Sequence, residues 1–137
     1  MSLRSTVDKK GWLWHVFPAL LYVVVIFWLG SVHTSLSIPQ DLLPRDKVNH
    51  FIAFGLLAWL ALRALRFELG AATLGRLIVA SICVSSVTGA LLEIWQSQIS
   101  YRTAEFGDWL ADTIGATVAG LASLLWIWWR GRHVATG

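Results

Sequence analysis

Four apolar runs, each about as long as a bilayer core is thick, recur along this 137-residue chain with only short polar connections between them. An unpaired backbone amide is too costly to leave in hydrocarbon, so such a run crosses lipid as a helix. Roughly 20 residues at about 1.5 Å rise each cover a core of about 30 Å. The runs extend from about Trp12 to Val32, Val48 to Leu65, Leu77 to Gln96 and Asp108 to Trp129. Pro39 and Pro44 precede the second, Arg63 and Arg66 close it, and Arg130, Gly131 and Arg132 end the fourth. Composition agrees: 56% of residues are hydrophobic and 14% charged, against about 25% charged in soluble domains. The nine tryptophans, many near the ends of apolar runs, suit the boundary between headgroups and hydrocarbon. The first run, Gly11 to Val32, exceeds the roughly 7 to 15 residues of a signal-peptide core. No clear small-x-small cleavage site follows it, so it reads as a retained helix. The predicted fold is an all-α integral membrane protein, a four-transmembrane-helix bundle forming a single domain over residues 1–137.

Lys and Arg fix the expected orientation. Arg4, Lys9, Lys10, Arg63, Arg66, Arg76, Arg130 and Arg132 fall on one side, and Arg45, Lys47 and Arg102 on the other, eight against three. Positive residues are retained in the cytoplasm, so both termini should be cytoplasmic and the first and third connections should face outward. The net charge of +3 is too small to argue for a nucleic-acid partner. Cys83 is the one cysteine, which leaves no disulfide framework and no cysteine-based metal site.

The polar residues gather toward the outer side. Asp46, Lys47 and His50 lie where the second span enters, Glu93 and Gln96 where the third leaves, and Arg102, Glu105, Asp108 and Asp112 at the last outer connection and the start of the fourth. Intervals of three or four place Asp46, Lys47 and His50 on one helix face, Glu93 with Gln96 on another, and Asp108 with Asp112 on a third. A carboxylate in lipid costs about 2.5 to 3.5 kcal/mol at mid-depth and less near the interface, so Glu93 and Asp112 should point into the bundle. Small residues recur every four positions as Ala111, Gly115, Ala119 and Ser123 in the fourth span, and as Ser81, Ser85 and Gly89 in the third. Such stripes let helix backbones approach closely in lipid. They predict that the third and fourth spans pack as an antiparallel hairpin leading into the polar site.

The ordered set Asp46-Lys47-x-x-His50-Phe51, Glu93-x-x-Gln96, Arg102 and Asp108-x-x-x-Asp112-x-x-Gly115 resembles the VanZ-like family of bacterial membrane proteins. The resemblance spans about residues 45–121 and does not include a motif in the first helix. Many members of that family carry an asparagine where Asp112 stands, so this chain adds an acidic group there. The family's namesake is associated with resistance to the glycopeptide teicoplanin. The resemblance therefore implies a multi-pass protein of the bacterial inner membrane, tied to the cell envelope, with a polar site on its outer side and an effect on glycopeptide susceptibility.

Three functions compete for the polar residues. The ligand-binding set is Asp46, Lys47, His50, Glu93, Gln96, Arg102, Asp108 and Asp112. It would recognise an anionic membrane lipid or lipid-linked envelope precursor, Arg102 by its fork and Lys47 as a point charge on phosphate. Alternatively the protein is a membrane-embedded hydrolase or transferase, with His50 as general base or acid and Glu93 or an aspartate orienting it. His50 and Glu93 are its catalytic candidates. Ser97, Ser100, Tyr101 and Thr103 lie nearby, none in a recognisable nucleophile motif, so the sequence leaves open whether the protein is an enzyme. The third reading is a structural salt-bridge network that sets helix register in a small interaction protein.

No cofactor is expected and no metal. His50, Glu93, Asp108 and Asp112, with His33, have suitable ligand types, but no dedicated metal spacing is present. Four short spans without inverted repeats argue against transport by one chain; assembly as a homo-oligomer would reopen that question. Trp126, Trp128 and Trp129, like Trp12, Trp14 and His15, read as interfacial anchors.

Overall fold

The computed structural model describes residues 5–32, 43–70, 72–100 and 104–134. They form five helices: α1 (Ser5–His15), α2 (Phe17–Ser31), α3 (Leu43–Glu68), α4 (Leu74–Gln96) and α5 (Phe106–Val134). Four stretches are long and apolar enough to cross a membrane, Lys10–Ser31, Lys47–Glu68, Leu74–Gln96 and Phe106–Arg130. The fold class predicted above is what the structure has. The first span differs in one respect, because it breaks at Val16 between α1 and α2. Pro18 sits in the first turn of α2, where its missing N–H and its ring disrupt the ladder back into α1.

The surface is inside out by soluble standards. Trp14, Val24, Trp28, Ile52, Val79, Ile94 and Leu125 are all more than half exposed, as suits side chains facing lipid tails. Serine and aspartate lie among the most buried groups, with Ser81, Ser85 and Asp112 at 0% exposure.

The core is the trio α3, α4 and α5, in which α3 and α5 share the most extensive contact. The small-residue stripe of α5 explains that closeness; the expected packing of the third span on the fourth is present too, but the Gly115 stripe does not make it. A Cβ on Gly115 would collide with the carbonyl of Phe51 in α3, and one on Gly55 would lie 3.1 Å from the Gly115 carbonyl. The fourth span therefore spends Gly115 on the second span, while Gly120, outside the stripe, faces Ile78 and Ile82 of the third. Periodicity shows which face of a helix is small, but not which neighbour will use it.

The third span packs on α5 through Gly89 of its own stripe, which lies against Asp112, and through polar groups outside it. Ser86 and Thr113 hydroxyls pair at 2.8 Å, and Trp109 Nε1 donates to the Ser86 carbonyl at 3.1 Å. Ser85 Oγ, from the stripe assigned to α5, donates to the Phe54 carbonyl of α3 at 2.8 Å. Interhelical hydrogen bonds of this kind contribute about 0.6 kcal/mol each in lipid. Among the described residues no glycine has a positive φ, so these glycines serve by their size.

The first span is peripheral. Within α2 only Ala19 and Ile26 are buried, and Ile26 joins Phe54, Leu57 and Leu92 in a small apolar cluster. Trp95 Nε1 donates to Ser31 Oγ at 2.8 Å and Gln96 Nε2 to the Gly30 carbonyl at 3.3 Å, fastening α2 to α4.

Candidate functional site at the Lys47 end

One end of the bundle holds the starts of α3 and α5 and the finish of α4. There α3 and α5 run side by side in the same direction, so residues one helical turn apart on each form successive rungs. On the first rung Lys47 Nζ meets Glu105 Oε2 at 3.1 Å and Asp108 Oδ1 at 2.9 Å. On the second, His50 Nδ1 meets Asp112 Oδ1 at 2.9 Å. Gly115 against Phe51 closes the floor. The spacing that put Lys47 with His50 and Asp108 with Asp112 on single faces is what makes the rungs coincide.

Helix α4 supplies the third wall. Glu93 Oε2 accepts a hydrogen bond from the backbone N–H of Glu105 at 2.8 Å. One turn below, Gly89 makes room for Asp112, since a Cβ there would come within 2.5 Å of Asp112 Oδ2. His50, Glu93 and Asp112 each offer a donor atom, and these atoms lie within 4.8 Å of one another. The His50 ring lies nearly parallel to that of Phe54, at 6° and 6.2 Å between centroids.

Exposure falls quickly with depth. The side chains of Lys47 and Glu105 are 42% and 46% exposed, whereas Asp108, Glu93 and Asp112 are buried. Two buried oxygens, Glu93 Oε1 and Asp112 Oδ2, have no hydrogen-bond partner among the described residues. A buried carboxylate oxygen without a donor costs about 1 to 3 kcal/mol or more.

Lys47, His50, Glu93, Asp108 and Asp112 are thus brought together. Gln96 is buried as well, but its amide is used by α2. The side chain of Asp46, and Arg102 and His33 entirely, lie outside the described residues. The carboxylate that meets His50 Nδ1 is Asp112, one of the two kinds of partner the sequence left open. Of the hydroxyl candidates, Ser97 donates to the Ile94 carbonyl of its own helix at 2.7 Å, and Tyr101 and Thr103 fall outside the described residues.

Glu105 is the participant that the binding set omitted. It neutralises Lys47 with its side chain and tethers α4 with its main chain, and its carbonyl receives the Asp108 N–H at 2.9 Å. Its place three residues before Asp108, at the mouth of an acidic helix start, was a signal for the last of these roles. Nothing in the spacing announced the tether.

The opposite end carries the start of α1, the finish of α5 and the approach of α3 to α4. A groove of about 1070 Å³ opens there, lined among others by His15, Trp59, Arg63, Arg66, Trp126 and Arg130. Arg63 Nε donates to His15 Nδ1 at 3.2 Å, and Arg130 lies 4.9 Å from the centre of the Trp126 ring. Of the residues read as anchors, His15 and Trp126 line this groove.

An all-helical, multi-pass membrane protein with a buried polar cluster at one end of its bundle is the class these features define. The model of the VanZ/LLP1 family matches residues 14–129, and the chain belongs to that family. The match takes in α2 as well as the motif-bearing spans, further than the motifs alone reached. No curated protein and no solved structure matches the chain significantly.

Proposed function

We propose that this chain is a bacterial inner-membrane protein of the cell envelope that recognises the headgroup of a lipid-linked envelope molecule at its Lys47 end, and through it alters susceptibility to glycopeptides such as teicoplanin. The Lys47 end faces outward in this reading and the termini are cytoplasmic, in line with the eight-to-three bias of Lys and Arg. Apolar flanks such as Val48, Ile52, Ile94 and Leu110, all exposed, would take the acyl or prenyl chain.

The observation that carries the proposal is the pair of buried oxygens on Glu93 and Asp112 that lack a partner among the described residues: they are acceptors for hydroxyl or amino groups of such a headgroup, whose phosphate would lie at the cationic rim with Lys47 and Arg102. A network serving only to hold helices together gains by satisfying its own acceptors. Among the described residues this one retains unused capacity where three helices converge. Membership of the VanZ/LLP1 family supports the envelope setting.

The test is lipid retention by the purified chain, measured by native mass spectrometry with a polyprenyl phosphate and with phosphatidylcholine as control. Hydrogen bonds to charged groups contribute about 1.5 to 3 kcal/mol, so Arg102→Glu should cut polyprenyl phosphate retention by at least about tenfold while control lipid is unaffected. Equal retention by wild type and variant would sink the idea.

A second reading is favoured by the contact between His50 Nδ1 and Asp112 Oδ1. A carboxylate on one imidazole nitrogen orients the ring for proton transfer at the other, so His50 would serve as general base or acid in a hydrolase or transferase. Chromosomal His50→Gln should then abolish the cellular phenotype although the folded protein accumulates normally, and an intact phenotype excludes the role.

A further inference from the structure

We propose that His50, Glu93 and Asp112 form a binding site for one divalent transition-metal ion of the zinc or manganese kind. The three residues come from three different helices and converge only in the folded bundle, which is why no ligand spacing marks them in the sequence. Their donor atoms lie within 4.8 Å of one another. Ligand bonds of about 2.0 to 2.2 Å place donors on a tetrahedral ion about 3.3 to 3.6 Å apart. Side-chain rotations that draw the donors in by about 1 Å bring the set into coordination range.

The unpaired oxygens make the second and independent argument. Asp112 is 0% exposed and Glu93 8%. One oxygen of each is committed, Asp112 Oδ1 to His50 and Glu93 Oε2 to the Glu105 N–H. The other oxygen of each, Asp112 Oδ2 and Glu93 Oε1, is buried without a partner among the described residues. Two ionised carboxylates buried side by side repel each other and have given up hydration. A cation between them removes both penalties together.

Among the described residues the rest of the cluster does not supply that cation. Lys47 stands against Glu93, Glu105, Asp108 and Asp112 and is engaged by Glu105 and Asp108 at the rim, and His50 would serve the ion as a neutral imidazole. Imidazole nitrogen beside carboxylate oxygen suits zinc, manganese and their neighbours better than magnesium or calcium. With three protein ligands the ion keeps at least one position for water or a ligand atom, the pattern of open rather than structural sites.

A bound metal would also convert an acidic recess that repels phosphate into one that accepts it. That consequence rests on the headgroup reading above; the metal site itself does not. The experiment is therefore run in phosphatidylcholine nanodiscs without polyprenyl lipid, on full-length protein stripped with EDTA. Titration with zinc and with manganese, followed by calorimetry and elemental analysis, should give about one equivalent.

Asp112→Asn and Glu93→Gln keep side-chain shape. Each should weaken binding by more than the roughly 10- to 100-fold that loss of a supporting residue costs. Cobalt loaded into the wild type provides a readout free of variants, since its visible bands should appear on addition and vanish when zinc displaces it. Failure of the wild type to take up metal, or affinity unchanged in both variants, overturns the site. If metal enters only after Arg102→Gln, a guanidinium holds the space and the proposal is equally overturned. Metal uptake without polyprenyl phosphate binding would retain the site and remove the headgroup reading.

Discussion

The two ends of the bundle solve opposite problems with charge. At the Lys47 end carboxylates outnumber cations among the described residues, and side chains from three helices interlock through short hydrogen bonds. At the arginine end Arg63, Arg66 and Arg130 surround an open groove whose walls are largely aromatic and aliphatic. The first end is closely packed beneath an exposed rim, and the second is more open. Charge held inside the bundle must find partners there, whereas charge at the rim can use water and lipid. A cluster with partners missing is for that reason the more informative of the two.

The sharpest way to break this comparison is topological. In a Cys83→Ser background, Gln98→Cys at the Lys47 end should react with an impermeant maleimide on intact cells, and Gly70→Cys at the arginine end only after permeabilisation. The opposite pattern would turn the bundle over and place the acidic cluster in the cytoplasm.

Next in size is Gly115→Ala, whose added carbon would strike the Phe51 carbonyl. Overpacking usually costs about 1 to 3 kcal/mol, and rigid backbone on the receiving side puts this variant at or above the upper figure in steric-trapping measurements of unfolding. Removing one member of the rim pair comes third. Asp108→Ala takes a buried acceptor from Lys47 and should cost about 1 to 3 kcal/mol. Lys47→Ala, with a side chain 42% exposed, should cost about 1 kcal/mol or less beyond its packing. The smallest effect belongs to Gly75→Ala near the arginine end, where nothing lies within 4 Å of the added carbon. Stability there should change by less than about 0.5 kcal/mol. Comparable losses at Gly75 and Gly115 would show that the two ends are equally packed.

Much of this contrast is legible in the chain. Continuous apolar length gives four spans because lipid leaves the backbone little alternative to a helix. Intervals of three and four put Lys47 with His50 and Asp108 with Asp112, and those faces meet in the structure. What periodicity withholds is the neighbour. The Gly115 stripe points as readily to the third span as to the second, which it serves, because a small face fits any helix that can reach it. Pro18 hides inside an otherwise unbroken apolar run, although its ring interrupts the helix there. Gln96 shares a helix edge with Glu93 yet fastens α2, since two residues one turn apart can still address different partners. Glu105 takes part through its main chain, which no side-chain pattern encodes. The arginine-end groove is a volume between helices, and volumes have no signature in one chain's spacing.

The bond from the Glu105 N–H to Glu93 Oε2 has a practical consequence for anyone wishing to modify the protein. It joins the last turn of one helix to the threshold of the next, like a clasp on a strap, so the helix ends need not depend on the linker for their spacing. Doubling the length of a flexible linker costs only about 0.6 kcal/mol of closure entropy. An epitope or a small reporter spliced in after Ser100 should accordingly leave the clasp fastened and the spacing of α4 and α5 unchanged.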